Sequence, residues 1–140
     1  MAAEFKVSGP LATSAGKRWV LPPHIFEVND KARFPSAQRV NPIYMYYPYR
    51  EIDEVRITLP PGMEIESLPP NDSVKLDYAA YITVQKMESA NVLFSRRDLA
   101  MNGMAFPVKL YAEVKDFYDK VKAGDDQPVL LKGAVHAPGN

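Results

Sequence analysis

Three proline pairs constrain this chain more than any other feature. Pro22-Pro23, Pro60-Pro61 and Pro69-Pro70 each close an apolar run, and 13 prolines in 140 residues is nearly twice the usual share of about 5%. Proline lacks the backbone N–H that a central strand must donate, so it belongs at strand ends, edges and turns. Apolar runs that end repeatedly in this way predict many short strands, hence an all-β sandwich or barrel.

The clearest periodicity lies in Ile43–Leu68. Within it Val55, Ile57 and Leu59 alternate with Glu54, Arg56 and Thr58, the period of two that puts one strand face in a core and the other in water. Pro61-Gly62 has type II turn chemistry, with φ pre-set by proline and a positive φ open to glycine. Glu54–Leu59 and Met63–Leu68 are therefore expected to form a hairpin at the centre of an antiparallel sheet.

Strands are also expected at Gly16–Leu21, with His24–Val28 as a continuation or separate short strand, and at Arg39–Tyr47, where Pro42 marks an edge or bulge. In Ser73–Met87 the apolar parity switches near Ala79, which predicts two strands or a bulge. Asn91–Asp98 follows after a turn at Glu88–Asn91. A single helix is expected over about 107–123: Pro107 suits a first turn, and Leu110, Val114, Phe117 and Val121 form a stripe that Tyr111 and Tyr118 widen. Asp116 and Lys120 make a supporting i, i+4 pair, Gly124 reads as the stop, and Val129–Lys132 as a last short strand. The fold class is thus mainly β: an antiparallel sandwich of about seven to eight short strands, one C-terminal helix and a last strand. Residues 1–15 read as a disordered linker or added tail, 16–132 as one domain, and 133–140 as a frayed end.

The composition excludes several chemistries. Without cysteine there is no disulfide framework, thiolate zinc site or cysteine nucleophile. Seventeen basic residues balance 17 acidic ones, and Lys17-Arg18 and Arg96-Arg97 point their members in opposite directions along strands, so nothing favours nucleic acid. No apolar run reaches the roughly 20 residues of a membrane span, and residues 1–15 lack the form of a signal peptide.

His24 and His136 are too far apart in sequence for an expected shared site, and His24 reads as a loop histidine. Ser73, Ser89 and Ser95 lie outside any G-x-S-x-G elbow. Asp53-Glu54 and Asp125-Asp126 lack calcium-loop spacing, and an acidic pair at a helix exit is ordinarily a solvated turn. No catalytic residue, metal site or cofactor is expected, and the chain is not expected to be an enzyme. The one candidate surface is Tyr44, Tyr46, Tyr47 and Tyr49. Along a strand Tyr44 and Tyr46 would share one face and Tyr47 and Tyr49 the other, so one pair could pack inside while the second stacks on a sugar or a partner protein. The plainer alternative is that tyrosine simply suits half-buried pleated surfaces.

A longer pattern joins these pieces. Arg39-x-x-Pro42-Ile43 and Pro48-Tyr49 precede Asp53-x-Val55-x-Ile57-x-Leu59-Pro60-x-Gly62 and Leu68-Pro69. Phe94-x-Arg96, Tyr111-x-x-x-Lys115-x-Phe117-Tyr118 and Val129-Leu130-Leu131-Lys132 complete it. In order and spacing it resembles the C-terminal β-sandwich domain, of unknown function, of large bacterial transglutaminase-like proteins, over about Lys17–Lys132. The resemblance implies an exported assembly, periplasmic or at the cell surface, in which the Cys-His-Asp chemistry sits in a preceding core. This chain would then be a non-catalytic accessory domain whose partner is that core, or alternatively a module binding a glycan or peptide through the Tyr44–Tyr49 strand.

Overall fold

The computed structural model describes residues 2–4 and 6–133. Among these described residues, ten strands and one helix run in the order β1 Thr13–Ala15, β2 Arg18–Leu21, β3 Ile43–Tyr44, β4 Tyr49–Thr58, β5 Met63–Ser67, β6 Asp72–Leu76, β7 Ala79–Ser89, β8 Val92–Met101, β9 Ala105–Phe106, α1 Tyr111–Asp125 and β10 Val129–Gly133. A 3-10 turn, Val108–Leu110, leads into α1 after Pro107. The large sheet has the order β4-β8-β7-β6, the second β1-β2-β10-β5, and β3-β9 form a two-stranded ribbon. All pairings are antiparallel. The fold is mainly β with one C-terminal helix and a last strand, as expected, and the sheets do not close into a barrel.

One face of the large sheet positions everything else. Register places Tyr49, Met101 and Ala79 in one row, Asp53, Arg97 and Thr83 in another, and Ile57, Leu93 and Met87 in a third. At one end of this face Tyr81, Leu99 and Met101 pack against Val114, Phe117, Tyr118 and Val121 of α1, with Ile43 and Phe106 from the ribbon and Met45 just after it. At the other end Ile57, Leu59 and Leu93 meet Leu21, Val129 and Leu131 of the second sheet. Helix and sheet thus cover opposite ends of the same face, and the row through Arg97 lies between two apolar cores.

The expected central hairpin does not form. β4 pairs with β8 and β5 with β10, so Pro60-Pro61-Gly62 carries the chain from one sheet to the other, and both strands are sheet edges. The turn itself is as expected, with Gly62 at φ +84° and Met63 N–H donating to the Pro60 carbonyl at 3.2 Å. Alternation shows that a strand has one buried face, but not which strand lies beside it. Ile57 and Ile65 both point into the second core from its two sides, and that satisfies the pattern equally well.

Other elements depart from expectation for local reasons. Thr13–Ala15, within the expected linker, pairs with β2 around Gly16 at φ +68°. His24–Val28 is not a strand: Glu27 N–H donates to His24 O and Asp30 N–H to Glu27 O, a turn that brings His24 and Glu27, three apart, to the same buried side. Of Arg39–Tyr47 only Ile43–Tyr44 pairs, because Pro42 and Pro48 remove donors on either side. The parity switch near Ala79 is two strands, β6 and β7. Gly133 ends β10, and the rest of the expected frayed end, with His136, lies outside the described residues.

Gly124 is not the helix stop, since α1 continues through Asp125 and Asp126 is still right-handed helical. It is needed for space. A Cβ there would lie 2.5 Å from the hydroxyl oxygen of Tyr81, a side chain with no exposed surface that also hydrogen-bonds Asp125. Gly124→Ala is therefore expected to destabilise by about 1–3 kcal/mol, although alanine is the better helix former by about 1 kcal/mol. The urea midpoint checks this: a variant as stable as the parent would mean that Tyr81 yields.

Candidate functional site

Between the two cores lies a belt of polar groups. Arg97, on the apolar parity of β8, is 3% exposed and donates from Nε to Asp125 Oδ1 at 2.7 Å and from Nη2 to Oδ2 at 3.0 Å. Asp125, in the last turn of α1, also accepts from the Tyr81 hydroxyl at 2.9 Å. Three further carboxylates face Arg97 Nη1: Glu51 at 3.2 Å, Asp53 at 3.6 Å and Glu27 at 3.8 Å. His24, buried, places Nε2 3.1 Å from Gln85 Nε2, so the neutral ring accepts that amide's hydrogen. The Ser95 hydroxyl, also buried, has no hydrogen-bond partner, so no base stands ready to take its proton.

The belt sets protonation states. Burial works against the Arg97 charge, but the hydrogen bonds and attraction of Asp125 outweigh it and hold the guanidinium firmly protonated. Burial lowers the His24 pKa, with the Asp125 carboxylate pulling the other way. Burial pushes Glu27 up to about 8, against the opposing pull of Arg97, and Asp53 adds to the rise. A carboxyl raised in this way keeps a proton that the unfolded chain releases above pH 4.5, so stability falls as pH rises from about 4.5 to about 8 and then levels. Glu27→Gln is expected to remove that fall. The variant should match the parent near pH 4 and exceed its stability at pH 8 by on the order of 2 kcal/mol. Parallel slopes of stability against pH would contradict it. His24 acts in the opposite sense below 6.5, where the unfolded chain takes up a proton that the folded one resists.

The tyrosines occupy a different place, at the edge of the first core. Ile43 and Met45 point inward, 3% and 8% exposed, and the Met45 N–H donates to the Met104 carbonyl at 2.7 Å. Tyr44 and Tyr46 accordingly face solvent, at 73% and 98% exposure, the shared face expected for them. A bend at Tyr46-Tyr47 breaks the parity, so Tyr47 is also exposed, at 67%, instead of joining Tyr49. Tyr49 is half-buried, its hydroxyl 2.5 Å from that of Tyr118. The four rings, with Arg33 and Glu51, line an open cavity of about 450 Å³. The Arg33 guanidinium carbon lies 5.0 Å from the Tyr118 ring centre and 5.7 Å from that of Tyr49.

Residues 17–131 match the family described as a Domain of Unknown Function, DUF3858. The chain belongs to that family. No curated protein sequence matches it. Among solved structures it is similar to a protein from Parabacteroides distasonis ATCC 8503 described as a "putative protease", with a TM-score of 0.61 and 15% sequence identity. The likeness covers 69% of this chain and 19% of that one, so the chain spans about one-fifth of that protein's length.

For this member of DUF3858, the structure divides the sequence candidates. Asp53 and Asp125 enter the belt while Glu54 and Asp126 stay outside it, Glu54 pairing with Arg96 at 2.7 Å and Asp126 with Lys122. The expected solvated acidic turn is thus half wrong, because Asp125 extends the buried stripe of α1 one turn past Val121. Arg33 and Glu51 were not singled out by sequence, Glu27 stood out only as a neighbour of His24, and Arg97 was read only as half of a doublet with Arg96. For Arg97 a signal existed: it shares parity with Leu93, Leu99 and Met101, a charge in the apolar phase of a strand. Among the described residues no three His, Asp or Glu gather as a metal site, and no helix is long and apolar enough to cross a membrane.

Proposed function

We propose that this chain is a non-catalytic accessory domain of an exported bacterial protein, packed beside a transglutaminase-like core that carries the chemistry. One observation carries the reading: a similar fold recurs as about one-fifth of a longer protein described as a "putative protease". The order of sequence motifs along Lys17–Lys132 supports it, as does the way the buried ionisable groups are engaged with one another. In the exported protein the domain would act in the periplasm or at the cell surface, contributing packing surface and position rather than reacting groups.

The test uses the isolated chain, the longer gene product, and that product lacking residues 17–131. Casein hydrolysis and amine incorporation into casein are measured for each. The isolated chain is expected to be inactive, and the shortened product to lose thermal stability or substrate affinity relative to the whole. Turnover by the isolated chain that His24→Ala abolishes would overturn the proposal.

A further inference from the structure

The tyrosine loop has a geometry that packing alone does not explain. Tyr44, Tyr46 and Tyr47 leave most of their surface in water, side by side on one short segment, and contiguous exposed aromatic surface of this kind marks contact sites. The segment is anchored from beneath. Ile43 and Met45 are buried, β3 is paired to β9, and the Met45 N–H is bonded to Met104, so the segment is anchored in its backbone and the ordering left for a ligand to impose is mainly that of the exposed side chains. The cavity they border, at about 450 Å³, falls within the range of small-molecule sites, roughly 300–1,000 Å³.

From these groups we propose that Tyr44, Tyr46, Tyr47 and Tyr49, with Arg33 and Glu51, form a binding site for a neutral saccharide. A pyranose has an apolar C–H face that lies on a flat ring and a rim of hydroxyls that both donate and accept. The site offers the matching set: Arg33 only donates, Glu51 only accepts, and phenol hydroxyls do either. Arg33 is held in place over the Tyr49 and Tyr118 rings, and Met45 Sδ lies 3.9 Å from its Nη2. The opposite charges in one cavity favour a neutral ligand, because an acidic sugar approaching Arg33 also meets Glu51. A purely apolar partner would strip water from Arg33, Glu51 and the phenols and return no hydrogen bond. The inference rests on the loop and its cavity, independently of the accessory-domain reading.

The experiment titrates the full chain with cellohexaose, xylohexaose, mannohexaose and maltohexaose at up to millimolar concentration, by calorimetry and by amide chemical-shift mapping. At least one is expected to bind, with shifts centred on residues 43–51. Tyr46→Ala and Tyr47→Ala should each weaken binding about tenfold or more without moving the melting temperature, since these rings are 98% and 67% exposed. Tyr44→Phe, which keeps the ring, should weaken it less than Tyr44→Ala. Failure of all four saccharides, or binding unchanged in the Tyr46→Ala/Tyr47→Ala double variant, would overturn the proposal. So would loop-dependent binding of casein peptides in place of any saccharide, which would assign the surface to protein.

Discussion

Arg97→Met is expected to destabilise the fold by about 3–5 kcal/mol, as removal of one member of a buried ion pair generally does. The methionine fills much of the space, so the loss reports charge more than volume. Asp125, 7% exposed, would keep only the Tyr81 hydroxyl of its described side-chain partners, and Asp53 and Glu51 would lose the cation they share with it, beside a Glu27 that already holds its proton at pH 7. Two further measurements separate this cause from a packing defect. On acidification the deficit should shrink, because the carboxylates can then take up protons instead of remaining as uncompensated anions. Arg97→Met combined with Asp125→Leu should recover part of the loss, because removing both charges also removes the cost of burying them. Urea unfolding at pH 7 and at pH 4 gives both numbers. A single variant within about 0.5 kcal/mol of the parent at pH 7 would show that the belt contributes nothing to stability.

Phe117→Ala is the second large effect, at about 3–5 kcal/mol. Phe117 is 1% exposed in the core between α1 and the large sheet, and its ring meets Tyr118 edge-on with centroids 5.3 Å apart. Truncation leaves a cavity lined by residues of two layers, β7 and β8 on one side and α1 on the other, which cannot both collapse into it. Tyr46→Ala removes a ring of similar size and is expected to change stability by no more than about 0.5 kcal/mol, since almost none of that ring is buried. The contrast between two aromatics of one chain, read from thermal or urea unfolding, separates residues that hold the fold from residues that are free for contact. A large loss for Tyr46→Ala would place it in the first group and remove the basis for a binding loop.

What the sequence determined by itself was the local and the periodic. Proline positions set where strands end, parity assigned Ile57 and Leu59 to a core, the helical stripe placed Val114, Phe117 and Val121, and Pro61-Gly62 specified its turn. Parity also turned Arg96 and Arg97 to opposite faces. The tertiary structure decided what period cannot encode, namely which edge meets which. Alternation is the same whether β4 lies beside β5 or faces it across a core, so only the assembled sheets show that the expected hairpin is a crossing between layers. The polar belt was hidden for the same reason. Arg97, Asp125, Glu27 and His24 come from a strand, a helix end and a turn far apart in sequence, and apart from Arg97, whose strand parity is apolar, each reads alone as an ordinary surface residue. Burial changes their chemistry, because a charge out of water must find its partner in the protein, and the fold supplies that partner from elsewhere in the chain. The tyrosine loop lies between these cases: its composition was visible in the sequence, but the bend at Tyr46-Tyr47 that turns a third ring to solvent, just past the anchored Met45, was decided by the fold.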